Sequence, residues 1–382
     1  MDLLEKAASG CRLTADEGIE LYSYPLFDLG AAANEVRRMR TDPQIVTYLI
    51  DRNINYTNIC NIGCSFCGFY RTRSQSDSYT LSFEEIGEKV KELEAVGGTR
   101  ILMQGGVNPN LQFDWYLDLL EFLKQSHPDI RVEAFSPEEI KGLSTLSGRP
   151  SLEILEKLRD AGLDGLPGGG GEILVDKIRK HRRIAPARIG SDEWLQIMGE
   201  AQSIGIYTTA TMVIGFGETK EDRVQSILRV RERHEESLEK YGNGFSAFIS
   251  WNLQTKNVRV EGVAPGSNSH EYLRNLAVSR LLLDKVVNFQ VSWPTMGYKV
   301  AQTGLYFGAN DFGSTMLEEN VVSQAGAQHQ MASEKEIIRQ ITDAGFQPVQ
   351  RDSNYCQVRR PSVNDLPKIS PVSNSGQNIA LN

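Results

Sequence analysis

The stretch Cys60-Asn61-Ile62-Gly63-Cys64-Ser65-Phe66-Cys67 places three cysteines within eight residues. A cubic four-iron cluster takes four ligands, usually cysteine thiolates, so three thiolates would leave one iron open for chemistry. Structural zinc instead takes four closed ligands, commonly as two separated pairs. The remaining cysteines, Cys11 and Cys356, lie alone near the two ends of the chain. The spacing therefore favours an iron–sulfur cluster bound by Cys60, Cys64 and Cys67 over a zinc site or three buried thiols.

The chain is acidic and has no apolar segment of membrane-spanning length. Its 382 residues carry a formal net charge of −8, which disfavours a protein that coats nucleic acid, because a phosphate-binding surface needs a basic excess. No apolar run approaches the ~20 residues of a bilayer-spanning helix, and the first residues do not follow the pattern of a secretory signal. We expect a cytoplasmic protein without a membrane or nucleic-acid partner.

Short apolar runs alternate with amphipathic segments between about 53 and 294, as a parallel barrel of strand–helix units requires. The pattern predicts a first strand at 53–56, which delivers the cysteine loop, and a final strand near 304–307. Seven or eight repeats predict an α/β fold of the (β/α)8 TIM-barrel type, complete or nearly complete, over 51–355. We expect a helical cap over 1–50 and a disordered, polar tail over 356–382.

Two glycine-rich stretches follow predicted strands. Met103-Gln104-Gly105-Gly106 ends one strand, where the missing side chains would let a ligand approach the backbone, although a plain turn is an equal alternative. Gly168-Gly169-Gly170-Gly171 precedes Glu172. Ordering four glycines costs about 1 kcal/mol each relative to alanine, so an ordered loop needs a reason such as a bound ligand. The alternative, a flexible linker, fits poorly between a strand and a helix.

A basic run at 177–183 interrupts the acidic chain, with Arg179, Lys180, Arg182 and Arg183 close together. Because runs of like charge usually face water, a solvated helix end followed by a loop is the favoured interpretation. An anion-binding site is the alternative.

The cysteine spacing, with aromatic Phe66 directly before the last cysteine, resembles the radical S-adenosylmethionine (SAM) family. The resemblance implies two cofactors, a [4Fe–4S] cluster and SAM, whose methionine part chelates the open iron. An electron from the reduced cluster would then cleave SAM to a 5′-deoxyadenosyl radical. By the same resemblance, the backbone around Phe66 meets the adenine and the Gly-Gly stretch holds the SAM ammonium. The cofactor-binding residues implied in this way are Phe66, Gln104, Gly105, Gly106, Ser136, Gly169, Gly170 and Thr211.

Longer strings, among them 103–109, 134–140, 158–174 and 307–326, resemble the cyclic dehypoxanthinyl futalosine synthases of the futalosine route to menaquinone. The resemblance implies abstraction of hydrogen from the ribose 4′ carbon of dehypoxanthine futalosine, followed by intramolecular attack on its benzoate ring. Aminofutalosine synthase and the deazaflavin (F420) synthases share several strings and remain alternatives. Phe216 stands where the family usually has histidine, and Gly171 where it has alanine.

Polar residues at further predicted strand ends complete the candidate site. The base that takes a proton from the ring adduct would be Glu172, Glu218, Asp311 or Tyr298, and their order stays open. The substrate carboxylate could be met by Arg71, Lys299, Asn310 or Ser314. For Glu218 and Asp311, helix capping or salt bridging is about equally favoured. The expected partner is an external one-electron reductant of the flavodoxin or ferredoxin type. A non-enzymatic electron carrier is the rival hypothesis.

Overall fold

The computed structural model describes residues 2–181, 183–258, 268–318, 320–326 and 331–361. Its strands are β1 (Ile45–Leu49), β2 (Asp51–Ile54), β3 (Arg100–Met103), β4 (Arg131–Ala134), β5 (Gly165–Leu166), β6 (Tyr207–Ile214), β7 (Phe245–Asn252), β8 (Asn288–Gln290), β9 (Asp311–Ser314), β10 (Gln347–Arg351) and β11 (Gln357–Arg359). Its helices are α1 (Leu3–Ala8), α2 (Ala15–Leu21), α3 (Leu26–Arg40), α4 (Phe83–Ala95), α5 (Phe113–Ser126), α6 (Pro137–Ser147), α7 (Ser151–Ala161), α8 (Asp176–Arg179), α9 (Ser191–Ser203), α10 (Lys220–Tyr241), α11 (Ser269–Leu282), α12 (Trp293–Met296), α13 (Tyr298–Gly304), α14 (Val321–Gln324) and α15 (Glu334–Asp343).

The sheet closes into a barrel because β1 and β2 form one nearly continuous stretch of chain. Strands β2 to β9 follow one another in parallel register, and β9 pairs with β1. Only Ile50 separates β1 from β2, and the Leu317 amide donates to the Asp51 carbonyl at 3.2 Å, which extends the pairing past the junction. The two ends of the row of strands therefore meet, as the predicted (β/α)8 barrel requires.

Local sequence signals start the helices that surround this barrel. Ser82 caps α4 and forms a capping box with Glu85, and Thr219 does the same for α10 with Asp222. These reciprocal bonds satisfy backbone amides that a helix start leaves without partners. The apolar strand and helix faces bury one core between barrel and helices, with Trp194 and Phe248 almost fully enclosed.

Two details differ from the sequence prediction. The 1–50 segment contains α1 to α3 but also β1, whose run Ile45–Leu49 is rich in the β-branched and aromatic residues that strands favour. The predicted strand at 304–307 is wrong, because Leu305–Phe307 forms a 3-10 turn that ends at Gly308, with φ 102°. The last barrel strand is β9, four residues further on.

The predicted tail lies partly outside the described residues. Its first residues form β11, which pairs antiparallel with β10, whereas 362–382 are not described. The division into cap, barrel and tail stays a prediction. In the described part of the chain, no helix is both long and apolar enough to cross a bilayer.

Candidate active site at the carboxyl ends of the strands

A cavity of about 390 Å³ opens inside the barrel. The three cysteines of the loop after β2 line it, as do residues from the carboxyl ends of β3 to β9. In barrels of this type the loops at the carboxyl ends carry the chemistry. Thirteen predicted site residues line the cavity: Cys60, Cys64, Phe66, Cys67, Gln104, Gly105, Gly106, Ser136, Gly169, Gly170, Glu172, Thr211 and Ser314.

Backbone hydrogen bonds hold the cysteine loop in place. The Cys60 amide donates to the Arg71 carbonyl at 3.0 Å, and the Cys67 amide donates to the Cys64 carbonyl at 3.1 Å. Gly63 turns the chain with φ 66°, a conformation that side chains disfavour. The loop is therefore shaped by its backbone, which leaves the three thiols free to bind.

The three thiols suit a cluster better than a single metal ion. Burial raises the pKa of Cys60, Cys64 and Cys67, so thiolates at this position need a compensating positive group such as iron. Among the described residues, no three His, Cys, Asp or Glu side chains are grouped so that they could hold one metal ion. A cubane takes one thiolate per iron, so its ligands need not converge on one point.

Gly105 and Gly106 allow the cysteine loop to lie against β3. A Cβ on Gly106 would lie 2.2 Å from the Ile59 carbonyl oxygen and 2.7 Å from the Cys60 Cβ, and a Cβ on Gly105 would lie 2.6 Å from the Tyr56 ring. The Gly106 amide donates to the Thr57 carbonyl at 2.9 Å. These glycines are thus required by packing beside a cluster ligand, in addition to any contact with a cofactor.

The four-glycine loop is ordered by its neighbours. The Gly168 amide donates to the Thr209 hydroxyl at 3.0 Å, the Thr211 hydroxyl donates to the Gly168 carbonyl, and the Trp194 indole donates to the Gly169 carbonyl at 3.1 Å. A Cβ on Gly169 would lie 2.4 Å from the Gln104 amide nitrogen. The loop therefore brings bare backbone to the cavity wall, and the linker interpretation is wrong.

Glu172 lies beside the cysteines in a buried ion-pair network that sequence reasoning did not foresee. Its carboxylate lies 2.6 Å from the Arg188 guanidinium, which also contacts Glu138 at 2.9 Å. Burial works against the charged form of Glu172, but Arg188 outweighs it and lowers the pKa. Arg188 also lies 5.5 Å from the centre of the Phe66 ring. Arg179, from the basic run, is buried against Glu138, so the solvated interpretation is wrong for that residue.

Glu139 is the second residue that the sequence did not reveal, although it belongs to the string 134–140. It is buried on the cavity wall and accepts hydrogen bonds from the Tyr56 hydroxyl at 2.6 Å, the Ser136 hydroxyl at 2.7 Å and the Gly105 amide at 3.1 Å. Burial raises its pKa to about 7. Among the described residues it forms no ion pair, so a carboxylate here favours a bound cation.

The other three candidate bases lie away from the cavity. Glu218 accepts from the Gly215 and Phe216 amides and pairs with Arg223, so it fixes the turn after β6. Asp311 accepts from the Thr47 hydroxyl at 2.6 Å and pairs with Arg351, which ties β9 to β1 and β10. Tyr298 stacks on Trp293 at 5.4 Å. Their partners give all three a structural explanation.

Three of the four predicted substrate contacts are also absent from the cavity lining. Arg71 donates to the carbonyls of Gly68, Phe69 and Tyr70 and pairs with Asp77, so it organises the chain after the cysteines. Asn310 joins β8 to β9 through the Phe289 amide, and Lys299 is exposed. Ser314 alone lines the cavity.

The cavity has a second half, built by strands that the cofactor resemblance leaves unassigned. The cofactor residues come from the neighbouring strands β2 to β6, whereas the ends of β7, β8 and β9 supply Trp251, Gln254, Ser292, Thr295 and Ser314. Aromatic surfaces with a few polar groups are typical of sites for small organic ligands. Phe216 lies outside this lining and packs edge to face on Phe66 at 5.2 Å.

Comparison with known proteins gives the family. The chain matches the Radical SAM superfamily over residues 54–230 and the CofH/MqnC C-terminal region over 242–364. It is 42% identical over 361 residues to the cyclic dehypoxanthine futalosine synthase of Halalkalibacterium halodurans, covering 94% of each chain. This chain belongs to the radical SAM superfamily. It is an enzyme of that superfamily, whose members use a [4Fe–4S] cluster and SAM.

Two further relatives carry names that describe two different reactions. The cyclic dehypoxanthine futalosine synthase of Streptomyces coelicolor is 37% identical, with 97% of this chain and 91% of the relative covered. The 5-amino-6-(D-ribitylamino)uracil–L-tyrosine 4-hydroxyphenyl transferase of Methanopyrus kandleri is 36% identical, with 86% and 88% covered. Both reactions therefore occur among radical SAM relatives at nearly the same distance from this chain.

Solved structures agree on the fold. Methylornithine synthase (PylB) matches with a TM-score of 0.71 at 19% identity, covering 91% of this chain and 97% of that chain. The hydrogenase maturase HydG matches with a TM-score of 0.69 at 18% identity, covering 93% and 75%. At these identities the likeness concerns the radical SAM barrel alone.

Proposed function

We propose that this enzyme converts dehypoxanthine futalosine to cyclic dehypoxanthinyl futalosine in menaquinone biosynthesis. The observation that carries the proposal is the 42% identity to a cyclic dehypoxanthine futalosine synthase across 94% of both chains. The second synthase, at 37% identity and similar coverage, points the same way.

The residues of the cysteine half fit the cofactors by geometry and charge. Three thiols are available to three irons, while Gly105 and Gly169 present bare backbone where any side chain would clash. We assign Glu139 to the SAM ammonium, because it is a buried carboxylate that pairs with no cationic side chain among the described residues. Arg188 contributes a positive charge and Glu172 a negative charge beside the proposed SAM site. When bound, the cluster and SAM supply the 5′-deoxyadenosyl radical that abstracts hydrogen.

The second half would hold the substrate against this centre. Trp251 and Trp293 give flat apolar surfaces to an aromatic ring, and Thr295 and Ser314 can donate to a carboxylate. The product forms when one hydrogen atom, one proton and one electron leave the substrate; the 5′-deoxyadenosyl radical would take the hydrogen atom, a side chain the proton, and the oxidised cluster the electron. Glu172 is the proposed proton acceptor, because it alone among the three candidate carboxylates lines the cavity and Arg188 keeps it ionised.

A two-substrate transferase is the second candidate, since its relatives are 36–38% identical over similar lengths. The test is anaerobic incubation of the reduced enzyme and SAM with dehypoxanthine futalosine, or with 5-amino-6-(D-ribitylamino)uracil and tyrosine. The proposal expects a product two hydrogen atoms lighter than dehypoxanthine futalosine, together with 5′-deoxyadenosine. A coupled product from the second mixture, with none from the first, would replace the cyclase by the transferase.

Two general features belong to the same proposal. The enzyme needs an external one-electron reductant of the flavodoxin or ferredoxin type, and it works in the cytoplasm. Cleavage of SAM with purified flavodoxin as the sole electron source would test the first of these.

A further inference from the structure

The end of the basic segment, at Arg183 and Ile184, lies directly on the cysteine loop. The Ser65 amide donates to the Ile184 carbonyl at 2.8 Å, and the Ser65 hydroxyl donates to the Arg183 carbonyl at 2.7 Å. Ser65 follows the ligand Cys64 in sequence. The basic run and the cluster position are therefore neighbours in space, although more than a hundred residues separate them in the chain.

Lys177, Lys180 and Arg183 are exposed cationic residues in the described part of this segment. Within the described residues the last two form no ion pair, whereas Lys177 pairs with Asp222 at 2.7 Å and Arg179 is buried against Glu138. Of the acidic groups nearby, Asp176 accepts from the Ser191 amide and hydroxyl and interacts electrostatically with Lys180, and Glu193 pairs with Lys141. Lys180 and Arg183 are thus exposed positive charges that form no ion pair with any described residue.

A groove of about 350 Å³ lies beside this segment, and its lining includes Asn61 and Ile62 of the cysteine loop, Lys180, and the pair Lys141 and Glu193. Asn61 and Gly63 are the exposed tip of the loop. A protein docked here would contact the loop that carries the three cysteines. Since the whole chain carries a net charge of −8, a local positive surface at this point would also orient an acidic partner that the rest of the molecule repels.

We propose that Lys180 and Arg183, with the exposed tip of the cysteine loop, form the docking surface for the acidic one-electron carrier that reduces the cluster. The carrier gives up one electron, for example as flavin hydroquinone becoming semiquinone, and the cluster accepts it, passing from the 2+ to the 1+ state. This surface depends on the proposed cofactors but not on which substrate the enzyme converts.

The test is the charge-reversed double variant Lys180→Glu, Arg183→Glu. Its control, Lys157→Glu, Lys335→Glu, changes the net charge equally at two exposed lysines on α7 and α15. Stopped-flow absorbance would follow reduction of the cluster by reduced flavodoxin, without substrate, at several ionic strengths. Calorimetry would measure the affinity of oxidised flavodoxin for each protein.

We expect reduction of the charge-reversed protein to be about tenfold slower at low salt, with weaker flavodoxin binding and little salt dependence, because steering typically contributes ~10-fold or more. The control should keep most of the wild-type rate, and excess dithionite should reduce the same fraction of cluster in every protein. Equal rates in the two double variants, or unchanged flavodoxin affinity, would overturn the proposal. If the reversed variant loses its cluster, Lys180→Gln, Arg183→Gln replaces it, and a wild-type rate there would overturn the proposal equally.

Discussion

Gly106→Ala should prevent the protein from binding the cluster, although all three cysteine ligands are kept. The new Cβ would lie 2.2 Å from the Ile59 oxygen, 2.7 Å from the Ile59 carbonyl carbon and 2.7 Å from the Cys60 Cβ. Carbon–oxygen contacts are about 3.3 Å at closest, so the Ile59–Cys60 peptide must move by about 1 Å. All three contacts involve backbone or the ligand itself, so no flexible side chain can yield. We expect a cost of about 3 kcal/mol, at the upper end of overpacking.

The assay is iron and sulfide content after anaerobic reconstitution, with the melting temperature of the apoprotein measured in parallel. Gly97→Ala is the control, because its Cβ meets nothing within 4 Å and only the positive φ of 74° is strained, a cost of about 1 kcal/mol. The Gly106 variant should lose most of its iron and melt below the Gly97 variant. Full iron content at an unchanged melting temperature would refute this account of the glycine pair.

Three further substitutions distinguish residues that bind the cluster or SAM from residues that stabilise the fold. Cys64→Ala should abolish iron binding and SAM cleavage, while Cys356→Ala should keep both; iron loss from the latter would show a wider ligand set. Glu139→Gln should weaken SAM binding in equilibrium dialysis by about tenfold or more, the worth of a buried charged hydrogen bond. Because burial raises the pKa of Glu139 to about 7, ionising Glu139 destabilises the native apoprotein increasingly as pH rises from 5 to 8. The melting temperature of Glu139→Gln should therefore rise relative to that of wild type over this range. A constant difference between the two melting temperatures would contradict this. Glu218→Gln breaks the pair with Arg223 and should lower the melting temperature while leaving the SAM dissociation constant unchanged.

Sequence spacing predicted the barrel and the cysteine loop that lines its cavity, because both depend on local patterns. The capping box at Ser82 and the cysteine spacing are read from neighbouring residues, and α4 and the cysteine loop are where these signals place them. The sequence could not show that Asp311 and Glu218 pair with guanidinium groups, because a carboxylate near a strand end gives the same sequence signal whether it faces the cavity or a guanidinium. Only the fold brings Arg351 and Arg223 to them. The residues that line the second half of the cavity come from the ends of three different strands, β7, β8 and β9, and no local sequence pattern reveals this grouping.

The buried charges around the cysteines explain why the cavity should bind SAM more tightly than S-adenosylhomocysteine, the analogue of SAM that lacks the methyl group. Three carboxylates, Glu138, Glu139 and Glu172, lie beside two guanidinium groups, Arg179 and Arg188, so this group of five side chains carries one excess negative charge if all are ionised. SAM has one net positive charge at neutral pH, from its sulfonium and ammonium groups less its carboxylate, whereas S-adenosylhomocysteine has none. Binding SAM would therefore neutralise this group, and the wild-type protein should bind S-adenosylhomocysteine more weakly. In Glu139→Gln the excess charge disappears, so the preference for SAM should shrink. An unchanged ratio of the two dissociation constants would show that shape, and not charge, selects the cofactor.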